Sequence, residues 1–334
     1  MRVAINGFGR IGRITMRALL KKQNVEVVAI NDLTDIKTLT HLFKYDSVHR
    51  QFDGIVEATE KGIQFNGQEV QVFAERDPSK LPWKALEVDV VVESTGLFRT
   101  RESASAHLKA GAKQVVISAP AKDKDIPSVV LGVNDHLIDL KSEIISNASC
   151  TTNCAAPMVK VLEDAVRVES IFVSTIHSYT GDQRLHDSPH SDLRRARAAA
   201  NSIIPTSTGA AKALGRIFPH LEGHLGGAGI RVPVINGSLT DLTCIVRSDI
   251  DEAGVNALFK AAADGPMNGI LEYTDEPIVS CDIISNPHSC IFDSELTSVI
   301  GKMVKVVGWY DNESGYSNRM ADLIVRLGKE AKLL

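Results

Sequence analysis

A glycine-rich segment near the N-terminus restricts the fold more than any other part of the chain. Gly7, Gly9 and Gly12 form a GxGxxG pattern between an apolar run at 3–5 and a stretch with helical spacing at 11–21. The first glycine permits a tight turn, the second lets the backbone approach phosphate groups, and the third lets the helix pack against the strand. The pattern predicts a strand–turn–helix unit that binds a dinucleotide pyrophosphate. The alternative is a strand-to-helix turn without a ligand.

An acidic residue follows the next apolar run at the spacing that such a unit requires. Asp32 follows the run 25–30 and stands twenty positions after Gly12. A carboxylate there accepts hydrogen bonds from the adenosine ribose and repels a 2′-phosphate, which favours NAD over NADP. The alternative for Asp32 is a turn residue or a helix cap at the end of a strand.

The pattern of apolar runs changes near the middle of the chain. The 334 residues suit two domains. Short, continuous apolar runs such as 88–92 alternate with helical segments in the first half, as in a parallel sheet covered on both faces. Longer strands such as 238–246 dominate the second half. The sequence predicts an α/β fold: a Rossmann-type, doubly wound parallel sheet domain over 1–149 and an α+β domain with a mixed or antiparallel sheet over 150–314.

Charge and cysteine content exclude several classes of protein. The formal net charge of -4 provides no concentrated basic face for nucleic acid or an acidic membrane. We find no apolar stretch of about 18 residues, and the N-terminus does not resemble an export signal. Five cysteines form an odd and sparse set, which favours reduced thiols in the cytoplasm over a disulfide framework.

The segment SNASCTTNC at 146–154 places a cysteine at the start of a predicted helix. Ser149 and Thr151 are candidate caps, so Cys150 lies in the first turn, where backbone N–H groups and the helix dipole favour a thiolate. A metal pair with Cys154 lacks further ligands at suitable spacing, and a disulfide across one helical turn has poor geometry. Buried small side chains are the remaining alternative. We assign that role to Cys154 and predict a nucleophile at Cys150, with no metal.

His177 is the best of ten candidate bases for such a nucleophile. It ends the apolar run IFVSTIH, where a strand meets the long polar stretch 178–202. Active-site residues of sheet enzymes often lie at such ends, and a polar connection of this length predicts a functional loop. The other nine histidines lie in polar contexts or have no cysteine partner in view.

Taken together, these segments resemble the phosphorylating glyceraldehyde-3-phosphate dehydrogenases over nearly the whole chain. SNASCTTNC and STGAAKA are the most specific of the shared segments. The others are NGFGRIGR, VAINDLTD, LFKYDSVH, AERDPSKLPW, VVESTG, ISAPAKD, DLRRARAAANSIIPTSTGAAKA, RVPVINGSLTDLT and WYDNESGYSNR.

The resemblance implies a glycolytic and gluconeogenic reaction. The thiolate of Cys150 attacks the aldehyde of D-glyceraldehyde 3-phosphate, and His177 forms an ion pair with it and takes the hydroxyl proton as NAD is reduced. Inorganic phosphate then cleaves the thioester to 1,3-bisphosphoglycerate. The resemblance also implies a homotetramer, NAD binding by 1–149, catalysis by 150–314, and a C-terminal helix at 315–334 that packs back onto the first domain.

The resemblance assigns roles to further residues. For the substrate, these are Thr180 and Arg231 at its phosphate, Arg195 near both anion sites, and Ser149, Thr151, Thr208 and Gly209 at the attacking phosphate. For NAD, they are Gly7, Gly9 and Gly12 with Arg10 and Ile11 at the pyrophosphate, Asp32 at the ribose, Arg76 and Ser118 at the adenine and nicotinamide halves, and Asn312 with Tyr316 at the carboxamide. Arg195 in a solvated basic loop and Thr208 as a helix cap are the alternatives.

Two positions depart from the family pattern. NAD-preferring relatives usually carry an apolar residue where Ser188 stands, so NADP is a candidate second cofactor; Ser314 replaces a larger residue, which predicts altered packing near the cofactor. Erythrose-4-phosphate dehydrogenase, which releases an acid, is the nearest alternative, but its relatives lack the TGAAKA string that is intact at 208–213. A surface-displayed or nucleic-acid-binding protein on the same fold is the other alternative, although every catalytic position is present here.

Overall fold

The computed structural model describes residues 1–138 and 142–333. Leu334, the last residue of the predicted C-terminal helix, lies outside the described residues. Two compact units are formed: the first comprises Met1–Val129, Asp135–Ala148 and the chain from Ser317 onward, and the second comprises Val130–Asn134 and Ser149–Tyr316.

The first unit is built around a largely parallel sheet. Its helices and strands are β1 (Arg2–Asn6), α1 (Arg10–Leu19), β2 (Glu26–Asn31), α2 (Ile36–Lys44), β3 (Val56–Ala58), β4 (Gly62–Phe65), β5 (Gln68–Phe73), β6 (Val90–Glu93), α3 (Arg101–Lys109), β7 (Gln114–Ile117) and β8 (Ile144–Ser146). Among the described residues the strand order is β3-β4-β5-β2-β1-β6-β7-β8. The strands from β5 to β8 in this order run parallel, and β3 and β4 are antiparallel additions at one edge.

The second unit contains a mixed sheet with helices packed on it. Its elements are α4 (Cys150–Val166), β9 (Val168–Ser178), β10 (Ile204–Thr206), α5 (Ala210–Ile217), β11 (Leu225–Val232), β12 (Ser238–Val246), α6 (Glu252–Asp264), β13 (Leu271–Thr274), β14 (Cys290–Ile300) and β15 (Met303–Tyr310), and α7 (Ser314–Glu330) begins in this unit. The described strands are ordered β10-β11-β9-β12-β15-β14-β13. Among the described strands of this sheet, only β11 with β9 and β13 with β14 pair in parallel.

The strands in the middle of the first sheet are buried, as is typical of a parallel sheet. Four of the five residues of β1 and all four of β6 are buried, as expected for strands covered on both faces. The strand order reverses at β1, which lies between β2 and β6. The carboxyl ends of the strands at such a reversal open a crevice, which is where dinucleotides bind to doubly wound sheets.

The predicted α/β fold class is confirmed, while several element boundaries differ. The run 88–92 forms strand only from Val90, and Val88 and Asp89 connect the preceding turn to the strand. Helix α4 begins at Cys150 with Ser149 as its N-cap residue, so Cys150 lies in the first turn as predicted. Strand β14 was not predicted: a register irregularity between Asp293 and Ser298 interrupts its alternation of buried and exposed side chains.

Across residues 1–138 and 142–333, no helix combines the length and the apolar character needed to cross a membrane. The same described residues contain no group of three or more His, Cys, Asp or Glu side chains that could hold a metal ion.

Candidate active site

The glycine turn connects β1 to α1, and its backbone requires two of the three glycines. Gly7 has a φ of 93°, and a Cβ atom on it would lie 2.6 Å from the backbone nitrogen of Thr95. A Cβ atom on Gly12 would lie 2.1 Å from the carbonyl oxygen of Gly7. Gly9 caps the helix without a side chain that could accept from its first N–H groups, and the space beside it is open. This helix terminus therefore fits an anionic group such as a pyrophosphate.

The carboxylate of Asp32 is fixed next to this turn. It accepts hydrogen bonds from the backbone N–H groups of Phe8 (2.8 Å) and Thr34 (3.0 Å). A cavity of about 350 Å³ opens beside it, lined in part by Gly7, Gly9, Asp32, Arg76, Thr95 and Leu97. Four predicted cofactor residues thus share one cavity, and a phosphate-binding helix start beside an oriented carboxylate fits the pyrophosphate and ribose of NAD.

The side chain of Arg10 is held by an acidic residue that the sequence analysis did not identify. Its guanidinium forms a bidentate ion pair with Asp46, whose carboxylate also accepts from the N–H groups of Val48 (2.9 Å) and His49 (2.8 Å). Burial raises the pKa of Asp46, but these hydrogen bonds outweigh it and lower the pKa to about 2. Asp46 therefore fixes where the Arg10 side chain lies at the start of α1.

The second unit brings Cys150 and His177 together. Ser149 caps α4 by accepting from the N–H of Thr152 at 3.1 Å, which places Cys150 as the first helical residue. His177 lies next to the end of β9 and is buried. Its Nε2 is 3.5 Å from the Sγ of Cys150, within the range for a hydrogen bond involving sulfur. The arrangement joins a helix-terminal thiol with a ring nitrogen that can take its proton.

The other side of the imidazole faces a guanidinium. The parallel register of β9 and β11 pairs His177 with Arg231. His177 Nδ1 is 2.7 Å from the carbonyl oxygen of Ser178 and 2.5 Å from Arg231 Nη1, which also donates to that carbonyl at 3.0 Å. A positive charge this close to Nδ1 opposes a second proton on the ring.

Burial decides the protonation of the pair in the ligand-free protein. Cys150 is half-buried, but its sulfur is enclosed, and burial raises the pKa of its thiol against the opposing charge of Arg231 and the N–H of Thr151. Burial and then the charge of Arg231 lower the pKa of His177 from 6.5 to about 3. The sequence-based expectation of a thiolate therefore needs correction: the helix terminus alone does not outweigh the loss of hydration, and both groups are neutral without a ligand.

A network of hydroxyl groups and an aromatic ring lie beside the imidazole. The hydroxyl of Tyr310 lies 2.9 Å from that of Thr151 and 3.0 Å from that of Thr175. Its ring meets the His177 ring edge-to-face, with centroids 5.9 Å apart. These contacts keep the imidazole in place from the side opposite β11.

Comparison with known proteins agrees with both halves of this description. Residues 1–101 match the family described as glyceraldehyde 3-phosphate dehydrogenase, NAD binding domain, and residues 149–312 match its C-terminal domain. The chain belongs to the glyceraldehyde-3-phosphate dehydrogenase family. Similar curated relatives carry that name in Thermotoga maritima (57% identity) and Mycobacterium avium (55%), each alignment covering 98% of this chain and 99% of the relative. A third, glyceraldehyde-3-phosphate dehydrogenase 2 of Streptomyces avermitilis, is 52% identical over 99% of both chains.

Of the remaining residues that the family resemblance singled out, several are engaged within the protein. Arg195 donates to Asp182 (2.6 Å) and to Thr206 (2.9 Å). Thr208 accepts from the N–H of Ala210 at 3.2 Å, as a cap of α5 would, and Gly209 is the N-cap residue. The other positions are as follows: Ile11 lies in the first turn of α1, Ser118 is half-buried after β7, Thr180 follows β9, and Tyr316 is buried in α7.

The amide of Asn312 is oriented by two serines. Its Oδ1 accepts from the hydroxyl groups of Ser178 (2.8 Å) and Ser238 (3.0 Å), so the amide nitrogen points the other way. At the two departures from the family pattern, Ser314 is buried and its N–H donates to Asp311 at 2.7 Å, while Ser188 is exposed.

Sequence reasoning missed residues that act through a neighbour. Asp46, Tyr310 and Ser178 contact predicted site residues, but each is close to its partner only because of the tertiary structure. Two of them had a usable signal: Asp46 lies within the LFKYDSVH segment and Tyr310 within WYDNESGYSNR, which both carry the family resemblance.

Proposed function

We propose that the chain catalyses the NAD-dependent oxidative phosphorylation of D-glyceraldehyde 3-phosphate to 1,3-bisphosphoglycerate. The observation that carries the proposal is the 3.5 Å contact between Cys150 Sγ and His177 Nε2 at the start of α4. In this proposal the first unit binds NAD and the second carries the chemistry. We further propose a cytoplasmic homotetramer, since all five cysteines are free thiols and the family resemblance implies four chains.

Two opposing effects decide where the proton between sulfur and imidazole lies. Opposite charges 3.5 Å apart attract by about 5 kcal/mol at an effective dielectric constant of 20. The decrease in the pKa of His177 from 6.5 to about 3 corresponds to an almost equal cost, about 5 kcal/mol. The thiol must also give up its proton, and burial raises the pKa of Cys150 above its ordinary value, so the neutral pair is the more stable form. A nearby change in charge is therefore needed to favour the thiolate.

The substrate phosphate supplies that change in charge. Arg231 is the group whose charge opposes an imidazolium, and it is half-buried, with the charge of Arg195 adding to the effect of burial in lowering its pKa. A phosphate bound by Arg231 neutralises that charge and draws the guanidinium away from Nδ1 of His177. Substrate binding thus removes the charge that opposes a proton on the imidazole. The same charge lowers the pKa of the Cys150 thiol, so the two effects of neutralising it partly offset each other.

The chemistry then proceeds on the sulfur. The thiolate of Cys150 attacks the aldehyde carbon, and His177 gives its proton to the resulting alkoxide oxygen, which becomes the hydroxyl group of the thiohemiacetal. His177 takes that hydroxyl proton back as the carbon is oxidised. A nicotinamide cofactor held at the glycine turn and Asp32 would supply the hydride acceptor. An oxygen of inorganic phosphate attacks the resulting thioester, and the carbon–sulfur bond breaks to regenerate the thiolate. Ser149, Thr151, Thr208 and Gly209 are the candidates for holding this phosphate.

Steady-state NADH formation tests the proposal. With glyceraldehyde 3-phosphate and NAD, turnover should require inorganic phosphate, and Cys150→Ser should lower kcat by about 10⁴-fold or more. Cys281→Ser is the matched control, because this exposed thiol lies outside the site, and its activity should equal that of the wild type. Turnover without phosphate would favour release of an acid by water, and absence of NADH formation would favour a non-metabolic role.

A further inference from the structure

A buried carboxylate contacts two residues that line the cofactor cavity, Asn6 and Thr95, and takes no part in the chemistry described above. Glu93, the last residue of β6, is only 1% exposed. Its Oε2 accepts from Asn6 Nδ2 (2.6 Å) and from His107 Nε2 (3.0 Å). Its Oε1 accepts from the backbone N–H of Thr95 (2.9 Å) and from the hydroxyl of the same residue. Burying a carboxylate is costly, so four donors directed at one group indicate that the position has a specific role.

On the His107 side of Glu93, the hydrogen-bond donors and acceptors are fixed. The indole Nε1–H of Trp83 can only donate, and it lies 3.0 Å from Nδ1 of His107. Nδ1 must therefore be an acceptor, the ring is neutral, and its single proton is on Nε2, directed at Glu93. Trp83, His107 and Glu93 are all buried, so solvent does not compete for these hydrogen bonds.

On the Asn6 side of Glu93, hydrogen bonds to the backbone of Glu75 fix the orientation of the side-chain amides. The N–H of Glu75 donates to Asn31 Oδ1 (2.9 Å), and Asn31 Nδ2 donates to the carbonyl of Glu75 (2.9 Å) and to Asn6 Oδ1 (2.7 Å). Asn6 must then present its NH₂ group to the carboxylate. The groups that contact the side chain of residue 93 from both sides are therefore donors. Only a side chain that accepts at every contact, as an ionised carboxylate does, can complete all of these hydrogen bonds.

The network joins the parts of the backbone that form the cavity. Asn6 ends β1, Asn31 ends β2 and Glu93 ends β6, which are the strands on either side of the reversal in strand order. Asn6, Asn31, Glu75 and Thr95 all line the cavity of about 350 Å³ that contains Gly7 and Asp32. Neither Trp83 nor His107 lines it.

We propose that Glu93 is the positioning residue of the cofactor site. As a common acceptor, it aligns the ends of β1, β2 and β6 so that the glycine turn and Asp32 meet NAD in one fixed geometry. The inference rests on the proposed NAD-dependent function. It concerns binding of the cofactor before any chemistry at Cys150.

Replacing the carboxylate with an amide tests the role. Glu93→Gln keeps the size but turns one acceptor into a donor; even with its oxygen toward Asn6 and His107, its NH₂ group opposes the N–H of Thr95. We expect the Kd for NAD, measured by calorimetry, to rise at least tenfold with a parallel rise in the KM for NAD. The KM for glyceraldehyde 3-phosphate and kcat at saturating NAD should change less than twofold.

A matched control lies at the opposite end of the same strand. Asp89 directly precedes β6, is buried, and accepts from the N–H of Arg2 (2.7 Å) and from Lys113 Nζ (2.7 Å). Asp89→Asn should lower Tm as Glu93→Gln does but leave the Kd for NAD within twofold of the wild-type value. An unchanged Kd in Glu93→Gln, or an equal rise in Asp89→Asn, would overturn the proposal.

A second pair of variants decides the question if Glu93→Gln does not fold. His107→Phe removes one donor to Glu93 at a residue that does not itself line the cavity and keeps an aromatic ring beside Phe98, and it should raise the Kd for NAD at least threefold. His107→Gln keeps an acceptor and a donor on one side chain and should restore most of the affinity. A lower Tm with unchanged affinity in His107→Phe would contradict the proposal. Binding and turnover by the wild type test the proposed function separately, because the inference depends only on the ratios between variants.

Discussion

The buried neutral imidazole makes the stability of the protein sensitive to acid. The folded pKa of His177 is about 3 and its usual value is 6.5, so between these values the unfolded chain binds more protons than the folded chain. The contribution to stability is fully present above pH 6.5 and is lost as the pH falls toward 3. From pH 7.5 to pH 5 the loss from this one group is about 2 kcal/mol.

Replacing the ring isolates this contribution from the titration of other groups. The free energy of unfolding, from urea titrations at pH 7.5 and pH 5, should fall by about 2 kcal/mol more in the wild type than in His177→Asn. Arg231→Gln removes the second cause of the lowered pKa but keeps a donor for Ser178, so its loss should lie between the two. Equal losses in the wild type and His177→Asn would refute the inference that burial holds this ring neutral.

Three further predictions concern the cofactor side. Gly7→Ala should lower Tm and abolish NAD binding, because a Cβ atom at this position has no space. Gly9→Ala should keep the wild-type Tm but raise the KM for NAD, because its Cβ atom would occupy the open space proposed for phosphate. Asp46→Asn should lower the free energy of unfolding by about 2 kcal/mol at pH 7, because it removes the carboxylate that pairs with Arg10. The pKa of Asp46 in the folded protein is lowered to about 2, so the difference between variant and wild type in urea titrations should shrink below pH 3.8. Asp32→Asn should raise kcat/KM with NADP about tenfold relative to NAD in initial-rate assays, because a negative charge that repels a 2′-phosphate is removed.

The parallel sheet of the first unit could be predicted because its signals are local. Strands buried on both faces are continuous apolar runs, and the glycine turn fixes the β1–α1 connection within a few residues. Strand β14 could not be predicted in the same way, since its ladder with β15 is irregular between Asp293 and Ser298. Periodicity fails where the register shifts.

The candidate site was only partly predictable for a similar reason. Cys150 and His177 each carry a local signal, at a helix start and a strand end. The contact between Arg231 and His177 depends on the pairing of β11 with β9, and the contacts of Glu93 depend on β6 lying beside β1. Long-range pairing also creates the burial that raises the pKa of the thiol, an effect that a helix terminus in isolation does not include.

The central claim is that oxidation takes place on the sulfur of Cys150. It is tested most directly by mass spectrometry after a single turnover in phosphate-free buffer with NAD and glyceraldehyde 3-phosphate. We expect one NADH per chain and a phosphoglyceroyl adduct on the peptide that contains Cys150, and added inorganic phosphate should remove the adduct. NADH formation without an adduct, or with the adduct on another residue, would contradict the account.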